Sequence, residues 1–433
     1  MQKGGFLYKH KLLTIVSLLI LSLISSCQKE DDVSPLINIQ EPSGGVFQVF
    51  DTLKVEADIS DNEQIKSISV KIIDSKNQQV TPSYTLAISK KSYHLNINYK
   101  IDNLYLESGN YFLLVEANDG INTGKDYISI SIGAVPKRLE DILIVETENA
   151  VSSIYSILNG KKLLKTFSYP YQDFIYNSYA QQYLYLSGEG ILTAYDKKEL
   201  KLQWSVSDLK NPNREYLGQL SYRNKLVCVN AYSGSIRSYN GKGEIVKQAN
   251  TIDTKGEISQ FWFGYQKIMA FKKPYTSDDE KIEELNEETG ASVYTYDISF
   301  SPERLCFVDE DLCIAFGNKY QKAKACSLST LYNVVHPFGD FGDRELGDAY
   351  KYSSYYYILS LNQEIVEYDL SNDNERILET TQKNVKFYHE ELYDKLYFID
   401  GNQILNLSYP AAGSQLFYQN DKTISDLIFV YNK

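Results

Sequence analysis

Apolar and polar residues alternate in short runs over most of the chain. Between 35 and 134, runs at 53–59, 68–73, 93–99, 111–117 and 127–132 carry alternating or β-branched apolar residues. Gly, Asn, Asp or Pro separate them. This pattern marks β-strands with one buried face. A stretch of about 100 residues with about five to seven short strands predicts an all-β sandwich over 35–134. Val135-Pro136-Lys137-Arg138 reads as a short linker.

Beyond the linker the pattern repeats. A polar pair followed by an apolar strand recurs at Glu140-Asp141, Gln181-Gln182, Asn224-Lys225, Gln266-Lys267, Glu310-Asp311, Ser354-Tyr355 and Asp394-Lys395. Successive units start 41, 43, 42, 44, 44 and 40 residues apart. A second strand, ending in an apolar residue and a turn former, follows at 192–196, 236–240, 282–286, 365–369 and 404–408. Residues 154–157 and 323–327 fit it more loosely. Third and fourth strands follow, such as 201–206 and 216–222. Four strands in about 42 residues make one propeller blade, so 140–433 predicts a seven-bladed β-propeller. Each small sheet must stack on a neighbour, and a closed ring gives every sheet two. A helical solenoid is excluded, because Tyr, Val, Ile and Thr dominate the units and turns come about every 8–12 residues. The fold class is all-β.

Two segments carry family resemblances. Ser108-Gly109-Asn110-Tyr111-Phe112-Leu113-Leu114-Val115-Glu116-Ala117-Asn118-Asp119-Gly120 resembles the penultimate strand and turn of bacterial Ig-like, PKD or cadherin-like modules. The first domain has no Cys pair, so the antibody disulfide is absent. Gly190-Ile191-Leu192-Thr193-Ala194-Tyr195-Asp196 through Trp204 resembles a repeat of the quinoprotein/WD40-like propeller families. The quinoprotein enzymes need a recurring docking Trp, and here only Trp204 stands at that place. The WD dipeptide is absent too. The resemblance therefore implies the fold without the quinone chemistry, and no cofactor is expected.

The N-terminus reads as an address. Lys3, Lys9 and Lys11 precede an apolar run at 12–24, the length of a signal-peptide core and too short for a membrane span. It ends in Leu23-Ile24-Ser25-Ser26-Cys27, which resembles a bacterial lipoprotein signal. The resemblance implies cleavage before Cys27 and its acylation, with 1–27 as the signal. Residues 28–34 form an acidic linker. In it Lys29, Glu30, Asp31 and Asp32 resemble the surface-export tag of Bacteroidota lipoproteins; a plain solvated linker is the competing reading. Together these imply a lipid-anchored outer-membrane protein facing the medium. Removing 1–26 takes away three lysines and no acid, which lowers the net charge from −12 to −15. That disfavours docking on anionic lipid and leaves acyl chains as the anchor. A pI near 5.0 also argues against nucleic acid as a partner.

Candidate chemistry is sparse. Cys228, Cys306, Cys313 and Cys326 fall in strand-like runs and read as buried free thiols. A cross-strand disulfide between Cys313 and Cys326 is the alternative in an oxidising compartment. Asp58, Asp61, Asn62, Glu63 and Asp119 could gather a calcium ion, against which stands ordinary turn chemistry. No other metal is expected. His94, His336 and His389 stand beside no nucleophile motif, and no catalytic residue is identified. Two acidic loops, 276–284 and 338–348, stand out; in the second, Asp340, Phe341, Asp343 and Arg344 read as a shaped surface loop. Among 37 Tyr and 18 Phe, the cluster with Tyr169, Tyr171 and Phe174 is the candidate contact surface. Phe261-Trp262-Phe263 and Tyr355–Tyr357 read as strand residues instead.

These readings predict a non-catalytic binding or scaffold module. It would be an accessory subunit of an outer-membrane β-barrel or lipoprotein complex, or a glycan or protein binder. The alternative is an extracellular propeller hydrolase or lyase acting on polysaccharide or peptide. That alternative needs a carboxylate pair, or a His with a carboxylate, converging on the central channel.

Overall fold

A computed structural model describes residues 32–211, 216–232, 234–252, 256–274 and 280–433. The chain divides into two compact units, Met1–Pro136 and Lys137–Lys433. In the first unit the described strands are β1 (Leu36–Glu41), β2 (Val46–Gln48), β3 (Thr52–Ile73), β4 (Tyr84–Lys100), β5 (Gly109–Asn118) and β6 (Thr123–Gly133). They form one hydrogen-bonded network, β1-β3-β5-β6-β2, with β4 also on β3. The expected runs 53–59 and 68–73 are thus one strand of 22 residues. Its register shifts between Ser60 and Ser67 let it continue where the sequence shows a polar break. Its first half pairs with β1 and its second with β5. Val55, Ala57, Ile59, Ile68, Val70 and Ile72 all point into a single core with Leu95, Leu113 and Val115.

Among the described residues, the second unit contains seven four-stranded antiparallel sheets. The seven apolar strands that follow the polar pairs are the second strands of these sheets, beginning with Leu139–Glu148 and Gln182–Ser187. In six of the seven the polar pair lies in or closes the turn before the strand; Glu140-Asp141 is already inside Leu139–Glu148. Gln181, Asn224, Gln266 and Asp394 each take φ between 51 and 57°, which a short polar side chain tolerates best. Burial falls outward: Gln182–Ser187 is buried throughout, whereas the fourth strand Ile245–Asn250 is almost wholly exposed.

The phase of the repeat differs from the sequence reading. The fourth strand of each sequence unit is the first, innermost strand of the next sheet. Leu220–Arg223 opens the third sheet and Gly256–Phe263 the fourth. The last strand, Asp426–Tyr431, returns to become the innermost strand of the first sheet, pairing Leu427 with Ile144. A repeat fixes period and not phase. Phase is set by which strands exchange hydrogen bonds.

Seven apolar clusters, one in each gap between neighbouring sheets, close the ring. Leu143, Val145 and Ile154 of the first sheet pack on Tyr183 and Tyr185 of the second. Ile142 and Ile144 pack on Tyr397 and Ile399 of the seventh. Trp204 bridges the second and third sheets: its Nε1 donates to the Gly241 carbonyl at 3.1 Å and its ring stacks near Tyr239. Gly243, at φ 79°, leaves room for it; a Cβ there would sit 2.7 Å from the indole.

The four cysteines are buried free thiols. In the register, Cys313 faces Leu328 and Ala315 faces Cys326, so the two thiols are not cross-strand partners. Burial pushes Cys228 up to about 11 and Cys306 and Cys326 up to about 12, which keeps them protonated.

Candidate functional site: the axial cavity

The inner strands of all seven sheets line one axial cavity of about 750 Å³. Four of these strands are bulged near their start, between Tyr171 and Asp173, Ile258 and Gln260, Pro302 and Arg304, and Leu346 and Asp348. A bulge re-aims one side chain, so consecutive polar residues reach the axis. Gln172-Asp173, Ser259-Gln260 and Glu303-Arg304 line the cavity in this way.

Three aspartates share one geometry. Asp173, Asp348 and Asp426 each accept the N–H of the following residue at 2.8–2.9 Å. Each then latches the next sheet. Asp173 Oδ2 accepts from Leu220 N–H at 2.6 Å, and Asp348 Oδ2 from Phe387 N–H at 2.9 Å. Asp426 Oδ2 accepts from the Tyr171 hydroxyl. Gln219 does the same with an amide, exchanging two bonds with the Phe261 backbone at 2.9 and 3.1 Å.

Two cations complete the wall. Arg304 grips Asp348 with Nε and Nη2, both at 2.9 Å. Lys386 Nζ lies 3.5 Å from Asp426 Oδ1, and the Tyr388 hydroxyl also bonds Asp426. Burial, helped by the Asp426 charge, raises Asp173 to about 6. Burial raises Glu303 as well, against its bonds from Gln260 and Asn318. The Asp426 charge raises Lys386.

The residues expected to form binding loops separate. Tyr169 is half-exposed, and Tyr171 lies beside the cavity on Asp426. Phe174 and Phe341 are corrections: each is only 3% exposed. Phe174 packs beside Tyr183, and Phe341 meets Tyr368 edge-on across the gap between sheets. Phe174 lies on the buried face of the strand Tyr171–Asn177 and Phe341 just past the end of Val334–Asp340, which the polar residues beside them in sequence did not reveal. Asp343 is exposed and paired with Lys322; Arg344 holds Glu375 with Nη2. Asp340 ends the strand Val334–Asp340.

The weak calcium candidates are bonded locally. Asp58 accepts from His94 and Gln40, Asp61 from Glu63 N–H, and Asp119 from Ile121 and Asn122 N–H. Among the described residues no three His, Cys, Asp or Glu side chains converge as a metal would require. Asp32 is described, whereas Cys27, Lys29, Glu30 and Asp31, and 275–279 of the first acidic loop, lie outside the described residues.

Sequence reasoning missed Glu303, Arg304, Lys386, Tyr388 and Asp426. A signal was present: they stand at the start of the fourth strand of their repeat units. Also missed was a face of exposed tyrosines. In these sheets the turns between first and second strands, and between third and fourth, lie at the same end. Tyr179, Tyr265, Tyr352, Tyr355 and Tyr393 sit in turns of the first kind and Tyr332 in the second, all exposed; Tyr332 reaches 74%.

No model of a protein family matches this chain, and no curated protein matches it. Solved structures do. Saccharomyces cerevisiae Sqt1 is 12% identical over 67% of this chain and 85% of that one, with a TM-score of 0.51. The WD40 β-propeller domain of Doa1 is 11% identical over 65% and 87%, with a TM-score of 0.46. BamB from Moraxella catarrhalis is 13% identical over 66% and 92%, with a TM-score of 0.39. At these identities the likeness is one of fold: an all-β chain carrying a β-propeller.

Proposed function

We propose that this chain is a lipid-anchored, non-catalytic binding protein of the bacterial outer surface. It docks a protein partner through the tyrosine-bearing turn face of its propeller. The exposed tyrosines carry this reading. Tyrosine offers a large rigid contact area and a hydroxyl at low entropic cost, and exposed tyrosines stand at the same end of five of the sheets. The lipobox ending at Cys27 and the Lys29–Asp32 tag support anchoring and export, and the acidic charge leaves the acyl chains to hold the membrane. An outer-membrane β-barrel or a second lipoprotein is the partner class.

The test is affinity purification of the tagged lipoprotein from detergent-solubilised outer membranes. A stoichiometric membrane partner is expected. Replacing Tyr265, Tyr355 and Tyr393 together by Ala is expected to cut its recovery at least about tenfold, since large aromatic anchors dominate such interfaces. A chain that purifies alone overturns the reading.

A second reading, cleavage of a polysaccharide, is favoured by one observation. Asp173, raised to about 6 and close to Asp426 in the cavity, has the proton affinity of a general acid. Release of new reducing ends that Asp173→Asn abolishes would establish it.

A further inference from the structure

Seen from inside the axial cavity, the cations stand forward and their carboxylates stand behind. The Lys386 side chain is 57% exposed and its partner Asp426 7%. Arg304 is 36% exposed and its partner Asp348 5%. Both cations line the cavity, so that exposure is to cavity water. Arg304 commits Nε and Nη2 to Asp348, and Nη1 makes no protein hydrogen bond among the described residues. Lys386 has Asp426 as its one ion pair there, at 3.5 Å. The Arg304 charge reaches Lys386, where it opposes the rise that Asp426 causes.

The same wall has acceptors to spare. Among the described residues Asp173 accepts only backbone N–H groups. Glu303 receives side-chain bonds from Gln260 and Asn318 and has no ion pair among the described residues. Ser259 Oγ and Gln260 Oε1 are buried without a hydrogen-bond partner among the described residues. Buried polar atoms left unpaired are uncommon and call for a ligand or water. Trp262, Tyr388 and Phe429 add ring surface.

We propose that the axial cavity binds a carboxylate-bearing sugar. Lys386 and Arg304 Nη1 take its carboxylate, and Asp173, Glu303, Gln260 and Ser259 take its hydroxyls. A bare anion leaves these acceptors unused. A neutral sugar leaves Arg304 Nη1 and the cavity-facing side of Lys386 without a charged acceptor, and an amine meets those cations first. A volume of about 750 Å³ lies within the range of small-molecule sites. This site is separate from the turn face and does not depend on the docking reading.

The test is calorimetric titration of the signal-cleaved chain with D-glucuronate and D-galacturonate. Methyl glucoside and putrescine serve as controls. At least one uronate is expected to bind saturably and more tightly than either control. Lys386→Met is expected to weaken it at least about tenfold, which is roughly one lost charge-assisted contact, with an unchanged melting temperature. Lys386→Arg is expected to retain binding. The proposal is overturned if neither uronate saturates the wild type, if a control binds more tightly, or if Lys386→Met binds as the wild type does. Partner recovery by Lys386→Met is expected to be normal, which separates this site from the turn face.

Discussion

Asp173 shows how the ring sets the chemistry of one residue. Its carboxylate sits beside Asp426 in a wall that offers two backbone N–H groups and a distant ammonium, and burial outweighs them. An unfolded aspartate titrates near 3.9, so between about 4 and 6 the folded chain holds the extra proton. Stability from this group is therefore present at low pH and lost as pH rises through about 6. The difference in unfolding free energy between wild type and Asp173→Asn is expected to move against the wild type by about 2 kcal/mol from pH 4 to pH 7. Urea denaturation at the two pH values reads it, and a flat difference would refute burial as the cause.

The strand is the unit that closes the propeller. Every sheet carries a register shift between its third and fourth strands, as at Ala194/Tyr195 and Ile404/Leu405. Such bulges add twist, which lets wedge-like sheets splay outward around an axis. Closure depends on Asp426–Tyr431, which completes the first sheet and carries Asp426 to Tyr171. Deleting 426–433 leaves that sheet with three strands and opens the cluster of Ile142, Ile144 and Leu427. The truncated chain is expected to lose its cooperative melt or to melt more than about 5 °C lower. Differential scanning calorimetry checks this; an unchanged melt would mean that the ring closes without its last strand.

At the scale of the whole molecule, an acidic two-unit chain carries both the proposed docking face and the proposed sugar site on its propeller. Neither the turn face nor the axial cavity needs the other, so a partner and a sugar can be held together. The anchor is testable by itself. Cys27→Ser is expected to move the protein from the membrane fraction to the soluble fraction and to abolish labelling with radioactive palmitate. Retention in the membrane would place the attachment elsewhere.

The sequence by itself determined the all-β class, the period near 42 residues and the second strand of every sheet. Apolar alternation and polar turn pairs are local properties, and Gln181-Gln182 or Asn224-Lys225 declare a turn whatever surrounds them. Trp204 was legible for the same reason. What only the tertiary structure decided is everything that depends on closure. The ring assigns Asp426–Tyr431 to the first sheet, 281 residues or more from its paired partners in sequence. It buries Phe174 and Phe341, whose polar surroundings suggested a surface. It also gathers Asp173, Glu303, Arg304, Asp348, Lys386 and Asp426, one or two from each of five sheets, at one axis. Each of these is an ordinary polar residue near or just before the start of a strand until hydrogen bonds across the ring fix which side chains meet.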